Sequence, residues 1–212
     1  MSTVQAILSR MDDVLVDPTS VHWTQAERLR WIGDGRRELA RLRPDLYSVE
    51  AIINLVAGVA QTVTGRFMDA RCTVSPGGAD VTTVREADVA FFDAYLPGWR
   101  AATAGETKNF MRTPQPEVFN VYPPAVAGAK LRVLHSPPPA DFAAATDALL
   151  PQEEIYIGPL ALWAAGCCVL DDAENAADVA RGQALQAMFK EAVVGGAKGQ
   201  AAAVAQPKDP SR

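Results

Sequence analysis

Two histidines, three cysteines, a cluster of acids and a row of arginines are the residues of this chain whose chemistry could amount to a site. Neither His22 nor His135 lies in a recognised catalytic motif, so a Ser-His-Asp or Cys-His set has no anchor. Cys167 and Cys168 are adjacent and Cys72 is remote, which matches neither a zinc-ligand spacing nor an even disulfide framework. Inside an apolar run the pair reads as small buried hydrophobes, and folding in a reducing cytoplasm follows. Asp171, Asp172 and Glu174 could hold a divalent ion, but at a helix junction they read better as solvated acids capping the next helix. Gly195-Gly-Ala-Lys-Gly199 follows a helix and lacks the Gly-x-x-x-x-Gly-Lys-Ser/Thr pattern of a phosphate loop. No catalytic residue, metal or cofactor is expected.

The arginines carry more information. Arg28, Arg30, Arg36, Arg37, Arg41 and Arg43 share one helical segment with Glu27, Asp34 and Glu38. Two readings stay open: a DNA-binding helix, or a solvated face whose intrahelical ion pairs also meet an acidic surface on a neighbouring subunit. The formal charge of −5 and pI near 5.1 favour the second, since a general nucleic-acid binder carries a basic excess.

The elements that must position these residues follow from periodicity. A first helix is expected over Thr3 to Val16, with Val4, Ile7, Leu8, Met11, Val14 and Leu15 recurring at three and four. Its acids and Arg10 exclude the apolar core of a signal peptide. A second helix opens with a Thr24/Glu27 capping box, buries Leu29, Ile32, Leu39 and Leu42, and closes at Pro44. Gly33 and Gly35 mark either a close approach by another helix or a soft spot.

Val49 to Thr62 reads as a short helix or as a helix passing into a strand. Strands are expected at Arg66 to Val74, turned by Ser75-Pro76-Gly77-Gly78, and at Asn109 to Thr113, with a short helix over Glu86 to Tyr95 between them. Pro116 to Pro124 and Lys130 to His135 follow as a further pair. In the former, Phe119 and Val121 share one face, Val118, Asn120 and Tyr122 the other, and Pro123-Pro124 ends the ladder.

After Pro137-Pro138-Pro139, Pro151 begins a helix interrupted near Gly158-Pro159. Its uncharged run, Ile155 to Leu170, is shorter than the roughly 20 residues of a bilayer span, so it reads as a buried helix and no membrane partner is expected. A last helix over Ala173 to Val194 should bury Val179, Leu185, Met188, Phe189 and Val193. Gly195 to Arg212 is too poor in apolar residues to order alone. The expected fold class is α+β, mainly α: a helical bundle with an inserted small antiparallel β-sheet of roughly three to five strands, and a flexible C-terminal tail. The expected divisions are 1–62 (N-terminal helices), 63–136 (β-rich insertion), 137–194 (C-terminal helices) and 195–212 (tail).

Several stretches together resemble the head-to-tail adaptor (connector) proteins of tailed bacteriophages, over roughly residues 1 to 194. Trp31-Ile-Gly-Asp-Gly-Arg-Arg-Glu-Leu-Ala-Arg-Leu-Arg-Pro-Asp45 is similar to that family's second helix, and Leu96-Pro-Gly-Trp99 to its Pro-x-Trp turn. Glu117-Val-Phe-Asn-Val-Tyr-Pro-Pro124 matches its Phe-x-Val-Tyr-Pro strand. Leu170-Asp-Asp-Ala-Glu-Asn-Ala176 resembles the junction between its last helices, and Phe189 its closing aromatic. The departure is at Cys168 to Leu170, where the family often carries a basic residue before the Asp.

The resemblance implies a virion protein at the neck. It would be a ring, most often of twelve copies, between the portal protein and the tail tube or nozzle, with DNA only in transit through its lumen. Twelve copies would together carry roughly −60, and an acidic lumen lets a polyanion slide past without sticking. Arg36, Arg37 and Arg41 are then expected to meet a neighbouring subunit or the portal, and Lys198, Lys208 and Arg212 the portal. Ser75, Pro76, Gly77 and Gly78 are the expected tail-side contacts. A tail-completion or stopper protein is the nearer alternative; a small DNA-binding regulator using the Arg-rich helix and an unrecognised hydrolase are rivals of other classes.

Overall fold

The computed structural model describes residues 2–17 and 22–204, with side chains described as far as Gly195. In chain order, α1 (Val4–Leu15) and α2 (Gln25–Leu42) come first. They are followed by β1 (Val49–Asn54), β2 (Gly58–Thr62), β3 (Arg66–Val74), β4 (Asp80–Thr83) and β5 (Arg85–Glu86). Then come α3 (Val89–Tyr95), β6 (Asn109–Arg112), β7 (Val118–Ala125), β8 (Lys130–Ser136), α4 (Ile157–Asp171) and α5 (Ala176–Val204). The chain divides into a helical unit, Met1–Leu46 with Pro139–Arg212, and a β unit, Tyr47–Pro138.

In the helical unit α4 packs against α1, α2 and α5. With the 3-10 turn that precedes it, it forms a 21-residue helical stretch, Pro151–Asp171, long and apolar enough to cross a membrane, longer than the uncharged run alone suggested. Yet Leu160, Ala161, Ala164, Ala165 and Cys168 are buried, the mark of a core helix. The Thr24/Glu27 capping box forms, with the Thr24 amide donating to Glu27 Oε2 at 2.8 Å. Of the expected stripe on α2, Ile32 and Leu39 are fully buried while Leu29 and Leu42 are half-buried. The two glycines of α2 mark a close approach. A Cβ on Gly35 would stand 2.8 Å from Trp163 of α4.

Two expectations fail in α5. The helix does not stop at Val194 but runs on to Val204, because Ala-rich sequence with no proline before Pro207 lets an established helix propagate. Phe189 and Val193 are buried, whereas Met188 is half exposed and Val179 also reaches solvent. A helix covered along one side cannot bury apolar residues all round. The cap at its start is Asn175, whose Oδ1 accepts from the amides of Ala177 and Asp178 at 2.9 and 3.0 Å. Asp172 pairs with His22 instead.

The β unit overturns the expected fold class. It holds two four-stranded sheets, in the orders β1-β8-β3-β4 and β2-β7-β6-β5, so the chain is a mixed helix-and-sheet protein and not a helical bundle with a small inserted sheet. The sheets share one core: Phe67, Ala70, Leu131 and Val133 from the first meet Phe110, Phe119, Val121 and Ala125 from the second. Phe67 and Phe119 stack at 4.1 Å between ring centroids.

Val49 to Thr62 is neither helix nor helix-then-strand. It forms β1 and β2, which pair antiparallel with β8 and β7 respectively. The alternation expected in β7 holds: Phe119 and Val121 are fully buried, and Val118, Asn120 and Tyr122 are partly exposed. Its prolines do not end the strand. Pairing to β6 stops at Tyr122, but β7 continues to Ala125 opposite Gly58, and the Pro124 carbonyl still accepts from the Gly105 amide at 3.0 Å. A proline lacks only the donor.

Outside the second sheet, Phe92 of α3 and Trp99 form a further cluster with Met111. The Leu96-Pro-Gly-Trp turn seats that Trp. Gly98 takes the left-handed conformation at φ 85°, and the Trp99 indole donates to Asp93 at 2.8 Å.

Candidate interaction surfaces

The arginines of α2 separate by direction. Arg28, Arg36 and Arg43 recur about every two turns and point inward, all under 9 % exposed. Arg28 donates to Asp12, to Asp17 Oδ2 at 2.6 Å and to the Asp17 carbonyl at 2.9 Å. Arg36 grips the fully buried Glu153, donates to the Ala140 carbonyl at 2.6 Å, and lies over the Phe142 ring. Glu153 also accepts from the Leu150 amide at 2.8 Å, which ties the turn before α4 to α2. Arg43 binds Asp45 at 2.7 Å and the Tyr156 hydroxyl at 2.9 Å, and holds the Asp45 carboxyl below its usual range. These are structural ion pairs, with each buried cation matched to a carboxylate, although Arg28 Nε has no hydrogen-bond partner among the described residues.

Arg37 and Arg41 point outward, one helical turn apart. Arg37 pairs with Asp34 and Asp141; Arg41 makes two 2.7 Å bonds to Glu38, whose carboxyl is held below its ordinary value chiefly by that contact. Arg30 stacks over Trp31 at 4.3 Å. A duplex-binding helix needs guanidiniums free to take phosphates, and Arg28, Arg36, Arg37, Arg41 and Arg43 each already hold a carboxylate. The helix therefore offers an exposed, charge-balanced face at Asp34, Arg37, Glu38 and Arg41.

In the β unit, Ser75 to Gly78 form the β3–β4 turn. The Ser75 amide donates to the Ala79 carbonyl at 2.8 Å, the Ser75 hydroxyl accepts from the Ala79 amide at 3.1 Å, and Gly78 adopts φ 89°. The turn holds its own shape, and Pro76, Gly77 and Gly78 stand exposed. Lys198 lies on α5, where side chains are not described; Lys208 and Arg212 fall outside the described residues. Absent from the sequence reading was an exposed aromatic pair, Phe91 and Tyr95, on α3. The signal was present: a seven-residue helix reading Val-Ala-Phe-Phe-Asp-Ala-Tyr cannot turn all its rings inward.

The cysteines offer no reactive group. Burial pushes the Cys167 thiol up to about 11 and the Cys168 thiol to about 12, and raises Cys72 as well. At pH 8 all three are neutral thiols, so the native protein should react with a chromogenic disulfide reagent only after denaturant is added. A thiol that reacts at once in buffer would contradict this placement.

What the geometry supplies is thus a set of self-contained exposed surfaces. No curated protein matches the chain. The family model described as SU10 adaptor protein matches residues 2–209, nearly the whole length and further than the resemblance to phage head-to-tail adaptors had reached. The resemblance stands, and the chain belongs to the SU10 adaptor protein family.

Proposed function

We propose that this adaptor sits at the portal vertex of a tailed phage, as a ring of about twelve copies that joins the portal protein to the tail tube or nozzle. Membership of the adaptor family over residues 2–209 is the observation that carries the reading. Self-bonded turns and charge-balanced exposed faces suit a protein whose work is contact between rigid parts. Arg37 and Arg41 are the helical-unit candidates for a neighbouring subunit or the portal, because each can exchange an internal carboxylate for one on a partner. Arg36 is committed to Glu153, and its effect on assembly would come through folding.

The Ser75–Gly78 turn is the candidate for the tail side, and the segment from Lys198 to Arg212 for the portal. DNA would pass through the lumen without base or phosphate recognition, consistent with a net charge of −5 per copy.

Electron microscopy of virions carrying an epitope-labelled copy tests the reading. Label at the neck, between capsid and tail, is the expected result. Label at the distal end of the tail, or none on intact particles, would overturn it.

A further inference from the structure

Of the four strands that end the two sheets, three are blunted against pairing. β5 has two residues, β4 has four with a register shift, and β2 has five with a shift at its start. β1 is the exception. It ends its sheet as six residues in unbroken antiparallel register with β8, from Val49 opposite His135 to Asn54 opposite Lys130, and holds no proline, glycine or lysine. Val49 and Ile52 are each 45 % exposed, and Glu50 and Asn54 also stand in solvent.

The phase of the ladder decides which backbone groups this edge leaves open. Just past the strand, the Leu55 amide donates to the Ala129 carbonyl at 2.7 Å. Hydrogen-bonded pairs alternate along an antiparallel ladder, so Ile53, Ala51 and Val49 turn their amides and carbonyls to β8. Glu50, Ile52 and Asn54 turn theirs to the free edge, where they have no backbone partner among the described residues. Donors and acceptors alternating along an edge in this way are met by an extended strand. Gln206-Pro-Lys-Asp-Pro-Ser-Arg212 is a poor source of one, because its two prolines bring no amide hydrogen.

β1 is complementary to itself. Two antiparallel copies can pair all three open residues in only one register, with Ile52 opposite the partner's Ile52. That register sets Glu50 opposite the partner's Asn54, and the two-fold axis repeats the pair at the other end. A carboxylate there accepts from a side-chain amide, and no like charges meet. On the other face the exposed Val49 comes opposite the partner's Leu55, a residue of the sandwich core. Sliding the pairing by one place either way leaves Glu50 or Asn54 without a mate.

We infer that two free copies pair through β1 about a two-fold axis, joining their first sheets into one of eight strands. The pairing stands on the β unit alone. A two-fold contact uses the same edge on both copies and closes at two, so it cannot recur around a cyclic ring. On the ring reading above, the dimer is therefore the form held off the virion, and β1 must separate before a copy enters the ring. Six residues a side fall well short of the roughly 20–30 of a stable interface, which keeps that separation easy.

Sedimentation equilibrium of the full chain tests the pairing. The wild-type protein should show monomer and dimer, and nothing larger, as its concentration rises to about 1 mM. Ile52→Pro removes an amide that points away from β8, so it should abolish the dimer and leave the far-ultraviolet circular dichroism unchanged. Asn54→Glu sets two carboxylates face to face at both ends and should weaken dimerisation roughly tenfold. Glu50→Gln/Asn54→Glu exchanges acid and amide, and should return dimerisation to the wild-type level. That rescue carries the decision if Ile52→Pro does not fold. A wild-type chain that stays monomeric at the highest concentration, or forms larger assemblies in place of dimers, would overturn the pairing. So would an Asn54→Glu protein that dimerises as well as wild type, or a double variant that stays as weak as Asn54→Glu. Each of these results leaves the adaptor reading standing, whereas label away from the neck would remove the ring reading and leave the dimer.

Discussion

Arg36→Ala should destabilise the helical unit by about 3–5 kcal/mol, the usual cost of leaving one partner of a buried ion pair without the other. Glu153 has no exposed surface, and with Arg36 gone its carboxylate would keep the Leu150 amide but lose the guanidinium that balances its charge. The Phe142 ring would lose its cationic neighbour in the same step. Arg41→Ala is the control. Its guanidinium stands mostly in solvent, although the Glu38 side chain is only 16 % exposed, and pairs open to water on the cation's side contribute about 0–1 kcal/mol. Urea unfolding followed by far-ultraviolet circular dichroism measures both. Equal midpoints for the two variants would show that the Arg36–Glu153 pair does not hold the turn before α4 onto α2. The result bears on function, because an assembly defect from reversing Arg36 would report folding, whereas one from reversing Arg37 or Arg41 would report the exposed face.

Gly166→Ala is expected to destabilise by about 1–3 kcal/mol, although alanine is the better helix former by up to about 1 kcal/mol. Two terms of opposite sign meet here, and the contact decides. A Cβ on Gly166 would lie 2.9 Å from the Gly182 carbonyl oxygen of α5, and one on Gly182 would lie 3.0 Å from the Gly166 oxygen and 2.6 Å from Leu170 Cγ. Backbone cannot rotate aside as a side chain can, so α4 and α5 would have to separate, opening contacts around Phe189. Gly195→Ala isolates the propensity term, since nothing lies within 4 Å of its added Cβ, and it should leave stability unchanged or raise it slightly. Thermal unfolding should shift down for Gly166→Ala and should not shift down for Gly195→Ala. A Gly166→Ala protein as stable as Gly195→Ala would mean that the helices do not cross as closely as described.

The adaptor likeness was carried by sequence words, and those words prove to be structural. Phe119 and Val121 are sandwich core, Trp99 is the centre of the outer cluster, and Trp31 to Asp45 contains the arginines that staple α2. Local periodicity also sufficed for α1, for the α2 cap, for β3 to its last residue and for the turn after it. It misled at Val49, Ile52, Ile53 and Val56, whose spacing of three and four imitates a helix although the segment is sheet. There Val49, Ile52 and Val56 are partly exposed, and Leu55 supplies the buried contact.

By itself, then, the sequence determined which short segments are amphipathic, where they are capped and turned, and which family they spell, because those properties depend on residues within a turn or two of one another. Tertiary structure alone decided that β1 pairs with β8 and β2 with β7 to make two sheets in place of one small insertion. It decided which arginines turn inward, and that Phe91 and Tyr95 stay outside while Phe92 goes in. The partners that settle those outcomes are far away in the chain. Glu153 lies 117 residues from Arg36, and no period of two or 3.6 residues encodes which distant surface a side chain will meet.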